Sequence, residues 1–425
     1  MTRTLFTNAR LLDPASGLDV RGALLVEGER IARLGPGIAA GDATVIDCAG
    51  ACLAPGLVDM RVQLREPGDE HLETLHSGAL AAAAGGVTAM VCLPNTNPVI
   101  DQMSLVEFIG REARRIGLVK IYAYAAATKG LQGRELTEMG LLALSGAVGF
   151  SDGVRAIANA RVMRHALSYA AAFGRVVVQH PEEPSLASPQ GMNEGEIATR
   201  LGLPGIPADA EAMMVERDLR LAALTGGRVH FAHVSTAAAV EAIRQAKARG
   251  VKVSCDTAPP YFALNELAVG DYRSFAKLSP PLRAEPDRLA VVAGIADGTI
   301  DAIASDHAPF DQDAKRQPFA QAEPGGVGLE TLLSLTLGLV HQGAVPLLTA
   351  LKAVTAAPAA ILGLPVGRLA VGGPADLVIF DPDQPGRVDP ATFRSKCRNT
   401  PFDGHLIQGR VLRTVVNGRS VFAAG

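Results

Sequence analysis

The chain predicts an α/β fold, a (β/α)8 barrel of the TIM type set between two β-rich ends. Two observations lead there. Eight buried-type strand segments recur between residues 54 and 364 with helical stretches between them. Polar residues also sit repeatedly at the C-terminal ends of those segments, namely Asn95, Asp152, His180, His233, Asp256, Asp306 and His307. In a barrel these ends converge on one mouth, which is where chemistry is built.

In chain order, TLFTNARLL (4–12), ALLVEGERIARLG (23–35) and TVIDCAG (44–50) read as small antiparallel strands broken by turns. The barrel strands follow as GLVDMRV (56–62), VTAMVCL (87–93), KIYAYAA (120–126), GAVGFS (146–151), RVVVQH (175–180), RVHFAHV (228–234), VKVSCDT (251–257) and DAIASDHA (301–308). HSGALAAAAGG (76–86) and AAAVEAIRQAKARG (237–250) are two of the intervening helices. The proline- and glycine-rich segment 311–328 is expected to be a mobile loop over the mouth. Strands return in GRLAVGGPADLVIFDPD (367–383) and LIQGRVLRTVVNGRSVF (406–422).

At 425 residues the chain can bury a sizeable core without covalent staples. Its 48% hydrophobic and 20% charged residues describe a globular protein rather than a disordered one. A net charge of −3 leaves no basic footprint, so neither nucleic acid nor an anionic membrane is an expected partner. The five cysteines include no CxxC pair, which points to buried free thiols rather than a disulfide framework or a thiolate zinc site. The opening MTRTLFTNARLLDP lacks the features of a signal peptide, and no uncharged run reaches the roughly 18–20 residues of a spanning helix. A cytoplasmic location is expected.

Three strand ends carry metal-ligand residue types: QH at 179–180, HFAH at 230–233 and SDHAPF at 305–310. Imidazole and carboxylate are the usual ligands of a divalent metal that activates water. A single strand-end histidine is more often a hydrogen-bonded structural residue, and Asp306 alone would serve as a cap. Their joint occurrence on one barrel favours a site.

A further set of motifs runs almost the length of the chain: APGLVDMRVQLREPG (54–68), LPNTNPV (93–99), MNEGEIATRLGLPGIP (192–207), HFAHVST (230–236), SPPLR (279–283), IASDHAPF (303–310) and GVGLET (326–331). In this order they resemble the dihydroorotase group of the amidohydrolase superfamily, in its long bacterial type. The resemblance implies an amidohydrolase barrel over 54–364, with a small β-sandwich domain made jointly from 1–53 and 365–425.

In active members of that group the first strand carries His-x-His, two zinc ligands, followed by an arginine that grips a substrate carboxylate. The arginine is present as Arg65, but the two histidine positions hold Arg61 and Gln63. A guanidinium has only donors and stays charged, and a glutamine carbonyl is a poor zinc ligand. Other departures accompany these. A second acid after the fourth strand is replaced by Gly153, leaving Asp152; the substrate asparagine is Ser279; the substrate histidine is Phe310; and the usual TPHH is APPY at 258–261. The resemblance assigns His180 and His233 to the second metal position, Asp306 to metal binding and proton transfer, Asp152 to a remaining metal ligand, and Arg65 and Asn95 to the substrate carboxylate.

The first reading is a catalytically degenerate dihydroorotase homologue of pyrimidine biosynthesis, without a cofactor. Similar bacterial proteins that lack the metal-binding histidines are structural partners of aspartate carbamoyltransferase, and the resemblance implies that partner here; a homodimer stays open. An alternative is an active zinc-dependent dihydroorotase or related cyclic amidohydrolase, with a mononuclear site on His180, His233 and Asp306. A second alternative is a barrel that binds an anionic metabolite through Arg65 and Asn95. On the first reading Arg61 replaces the lost positive charge and pairs with Asp306 or Asp152, which would otherwise be buried without a counter-ion.

Overall fold

A computed structural model of the protein describes residues 2–425. The barrel strands are Leu57–Val62, Val87–Cys92, Lys120–Ala123 with Ala125–Ala126, Gly149–Ser151, Val176–Gln179, Arg228–Phe231, Val253–Thr257 and Ala302–Ile303. Each pairs in parallel with its neighbour in sequence. The ring closes where Gln63 N donates to His307 O at 2.9 Å, beside a parallel bridge between Val62 and His307.

Two strands differ from their sequence expectation. KIYAYAA is broken at Tyr124, whose N donates to Cys92 O on one neighbour, while Ala123 O accepts from Val148 N on the other. DAIASDHA keeps a ladder only over Ala302–Ile303. Beyond it Ser305 N donates to the Asp59 carboxylate and Asp306 adopts a φ of 50°, and neither leaves an extended backbone to pair.

Apolar faces fix the helices against this ring. Helix Leu75–Ala84 begins at Thr74, whose side chain accepts from Ser77 N, and stops at Gly85. Helix Ala237–Ala248 is capped in the same way by Thr236. The outward strand residues Met90, Cys92, Val177, Val229 and Phe231 share one core with the inward helix residues Ala79, Ile109, Leu167, Val215 and Ile243. Burying a large apolar side chain stabilises by about 1.5–3 kcal/mol, so this shell holds the barrel and leaves its mouth free for polar groups.

Both termini build one eight-stranded β domain. Arg3–Asp13, Leu18–Glu27, Arg30–Gly35, Thr44–Asp47 and Cys52–Pro55 come from the N-terminal side; Leu377–Arg387, Leu406–Val416 and Arg419–Ala423 come from the C-terminal side. Cys52–Pro55 joins the two groups, parallel to the first strand and antiparallel to Leu377–Arg387. Only Gly56 separates it from the first barrel strand, and Lys120 on the third barrel strand pairs with Asp376 of the β domain. The domain therefore sets where the first barrel strand starts.

All five cysteines are buried and unpaired, and burial pushes the Cys48 and Cys52 thiols up to about 11. Among the described residues no helix is long and apolar enough to cross a membrane. Segment 311–328 is packed rather than the mobile loop expected. It contains the short helix Gln312–Lys315, Phe319 is buried, and the buried Lys315 donates to the carbonyls of Lys277 and Glu323 at 3.2 and 2.7 Å.

Candidate functional site

The first strand delivers Arg61 and Gln63 to the barrel mouth through an irregularity: its pairing with the second strand shifts register between Asp59 and Val62. Arg61 N and Ser305 N both donate to Asp59 Oδ1 beneath the mouth, which locks the first strand to the eighth. Burial raises the Asp59 carboxyl to about 6 against the pull of these bonds.

Arg61 is 1% exposed, and its Nε donates to Asp306 Oδ1 at 2.8 Å. Its Nη2 reaches Gly153 O at 3.4 Å. Gly153, the position that the resemblance gives to a second acid, has a φ of 70°; a Cβ there would sit 3.2 Å from the Asn95 Cβ. Asp152 is directed elsewhere, accepting from Thr128 N at 2.9 Å and Thr128 Oγ1 at 2.5 Å. Of the two carboxylates expected as partners of Arg61, the structure pairs it with Asp306.

Asp306 also meets His233 Nδ1 at 3.0 Å, and His233 Nε2 faces His180 Nδ1 at 2.7 Å. His180 Nε2 lies 3.4 Å from Glu182 Oε2. The result is a row, Arg61–Asp306–His233–His180–Glu182. Burial first, and then the charge of Arg61, push His233 down to about 4, so this ring is neutral near neutral pH. Asp306 is ionised: burial opposes this, but the charge and bond of Arg61, with the hydrogen bond from the neutral His233, hold the carboxyl well below the usual range. With His233 neutral, Arg61 supplies the charge. A carboxylate only accepts, so His233 donates from Nδ1 and accepts at Nε2 from His180 Nδ1–H.

This row is the test of whether zinc fits. Two nitrogens on one tetrahedral zinc lie roughly 3.3 Å apart, given bonds of about 2.0–2.1 Å. The 2.7 Å between the two rings is instead a hydrogen-bond distance. Asp306 meets the other nitrogen of His233, so His180 and Asp306 flank that ring from its two sides instead of converging with it on one point, and a guanidinium lies against the carboxylate. Among the described residues no set of three or more His, Cys, Asp or Glu side chains is arranged to hold a metal ion. As arranged, the residues present do not fit zinc.

The residues assigned to the substrate carboxylate are similarly engaged. Arg65 is buried beneath Phe310, its guanidinium 4.5 Å from the ring centre, and its Nη2 donates to Pro309 O at 3.2 Å. Asn95 Nδ2 donates to Gln63 Oε1 at 3.0 Å. Ser279 Oγ lies 3.4 Å from Glu182 Oε2. Tyr261 of APPY stands edge-on to His233, with its hydroxyl donating to Pro280 O.

Three pairs thus join a residue that the resemblance reads as retained to one that it reads as replaced: Asp306 with Arg61, Asn95 with Gln63, and Arg65 with Phe310. Arg65, His233 and Asp306 each keep a positive φ, of 60°, 42° and 50°. Such a backbone is costly for residues other than glycine and marks sites where the surroundings dictate the conformation.

Comparison with known proteins agrees with this frame. A family described as dihydro-orotase-like matches residues 50–239, and the amidohydrolase family matches 213–422. A dihydroorotase of Syntrophotalea carbinolica is 47% identical over 420 residues, covering 99% of each chain. One from Anaplasma phagocytophilum is 44% identical, covering 99% of this chain and 95% of its own. The chain belongs to the dihydroorotase family. Among solved structures, the L-hydantoinase of Arthrobacter aurescens superposes with a TM-score of 0.90 at 26% identity, over 100% of this chain and 97% of its own. The fold is accordingly the amidohydrolase barrel with a β domain from both termini. Arg61, Gln63, Gly153, Ser279 and Phe310, the positions that the resemblance reads as departures, all lie around one mouth.

Some of the site was not read from the sequence. Glu182 ends the row of polar groups and is signalled only by its place two residues beyond His180, in QHPEEP. Thr128, which takes up Asp152, and Asn399, which holds the Phe310 backbone, carried no signal. Asp256, one of the strand-end polar residues, accepts from His233 N and pairs with His230, and so positions the sixth-strand turn.

Proposed function

We propose that this chain is a dihydroorotase homologue whose metal-dependent hydrolysis has been lost and whose barrel serves as a structural partner of aspartate carbamoyltransferase. The observation that carries the loss is the buried Arg61–Asp306 ion pair. Asp306 would accept a proton in amide hydrolysis, but here its bonds to Arg61 and His233 hold the carboxyl well below the usual range and make it a poor proton acceptor. The Arg65 and Asn95 groups that would hold a substrate carboxylate are taken up by Phe310 and Gln63.

The support for the partner is the sequence resemblance to bacterial homologues that lack the same histidines. Size-exclusion chromatography of this chain with the aspartate carbamoyltransferase of its own organism tests it. Co-elution in a complex larger than either protein is expected; separate elution at micromolar concentrations of both contradicts the partnership.

A second reading, a working dihydroorotase, is favoured by the 43–47% identity to proteins of that name along nearly the whole chain. Assay of carbamoyl aspartate cyclisation separates the two.

A further inference from the structure

A cavity of about 600 Å³ opens at the barrel mouth beside His180. It lies apart from the Arg65 and Asn95 groups, which do not line it. Its volume falls in the range of small-molecule sites, and Val154, Ala158, Ile206, Leu278 and Pro281 give it apolar walls.

The two ends of the cavity differ in charge. At the rim stand Arg134 and Arg155, both exposed, and neither guanidinium forms an ion pair among the described residues. Their loops meet, since a Cβ built on Gly133 would lie 4.0 Å from Ala156 O. At the floor Glu182 is 12% exposed and lies beside His180 and Ser279.

Two guanidinium groups that make no close ion pair within the chain match a dianion better than a single carboxylate, and their planar forks suit the several oxygens of a phosphate. A floor of carboxylate and hydroxyl oxygens accepts hydroxyl or N–H groups. We propose that the cavity binds a phosphate monoester of nucleoside size, its phosphate on Arg134 and Arg155 and its neutral, hydroxyl- or N–H-bearing body against Glu182 and Ser279. The cavity shares His180 and Ser279 with the positions that the resemblance gives to metal and substrate, but the proposed binding needs neither zinc nor the transcarbamoylase.

Isothermal titration of the intact chain with uridine 5′-monophosphate tests this, with uridine, inorganic phosphate and malonate as comparison probes. Saturable binding at one site per chain is expected, with each fragment binding more weakly than the whole. Replacing both arginines (Arg134→Ala with Arg155→Ala) should weaken the monophosphate by about 10–100-fold, the loss of charge-assisted hydrogen bonds, with an unchanged circular dichroism spectrum. Three results would each overturn the assignment: no saturable binding at millimolar monophosphate, binding insensitive to the double substitution, or malonate binding as tightly as the monophosphate.

Discussion

Arg61 Nε lies 2.8 Å from Asp306 Oδ1, joining the first barrel strand to the eighth at the bottom of the mouth. The arginine side chain is 2% exposed and the carboxylate 18%, so little water screens the pair. Arg61 Nη1 is buried without a partner, so the arrangement is not fully satisfied. A buried pair of this kind adds little over an apolar replacement, but losing one member strands the other charge.

Substituting Arg61 alone should therefore be costly. Arg61→Met is expected to lower stability by about 3–5 kcal/mol, and Arg61→Met with Asp306→Asn to recover part of that loss. Urea unfolding of both variants checks this. A single-variant cost below about 1 kcal/mol would mean that the pair is solvated and unimportant.

The two first-strand replacements are also expected to be what keeps zinc out. Arg61→His with Gln63→His removes the cation and supplies two imidazoles to the mouth. Zinc content after dialysis should rise above that of the parent chain, while turnover stays absent because Ser279 and Phe310 remain. Equal zinc content in both proteins contradicts this.

Phe310 packs on Arg65 and also lies 3.0 Å from where a Cβ on Gly325 would stand, so its ring fills the space between the eighth-strand loop and segment 311–328. Phe310→Ala is expected to cost roughly 1–3 kcal/mol through the lost cation–π contact and packing. Thermal unfolding measures it, and an unchanged midpoint would show that the ring is not holding Arg65 in place.

A pH dependence arises away from the mouth. Burial raises the Glu330 carboxyl to about 7, against the bonds it accepts from Arg394 N and Ser395 N. The folded chain thus binds a proton more tightly than the unfolded one. This contribution is fully present below about 4.5 and is lost as pH rises to about 7. Glu330→Gln should flatten this slope and stabilise the chain at pH above 7 by on the order of 1–3 kcal/mol. Urea midpoints measured across that window, if parallel for parent and variant, would refute it.

Much of this was legible in the sequence because it rests on local patterns. The apolar runs from GLVDMRV to VKVSCDT form ladders, and HSGALAAAAGG ends its helix where its glycines begin. The strand-end residues Arg61, Asn95, His180, His233 and Asp306 gather at one mouth because parallel strands all point the same way. What the sequence could not supply depends on contacts between distant segments. Asp152 reads as facing the mouth until Thr128, 24 positions earlier, takes both its oxygens. Segment 311–328 reads as loose from its composition, yet Lys315 finds carbonyls 38 and 8 residues away. The early end of the eighth strand follows from the bond that Ser305 N makes to Asp59 on the neighbouring first strand.

On the proposed function, Arg61 occupies the catalytic heart of a hydrolase that has lost its reaction. Metal analysis of the purified chain, coupled to a zinc-supplemented dihydroorotase assay at high enzyme concentration, tests it most directly. Substoichiometric zinc and no turnover above background are predicted. Stoichiometric zinc with turnover abolished by His233→Ala would contradict the account.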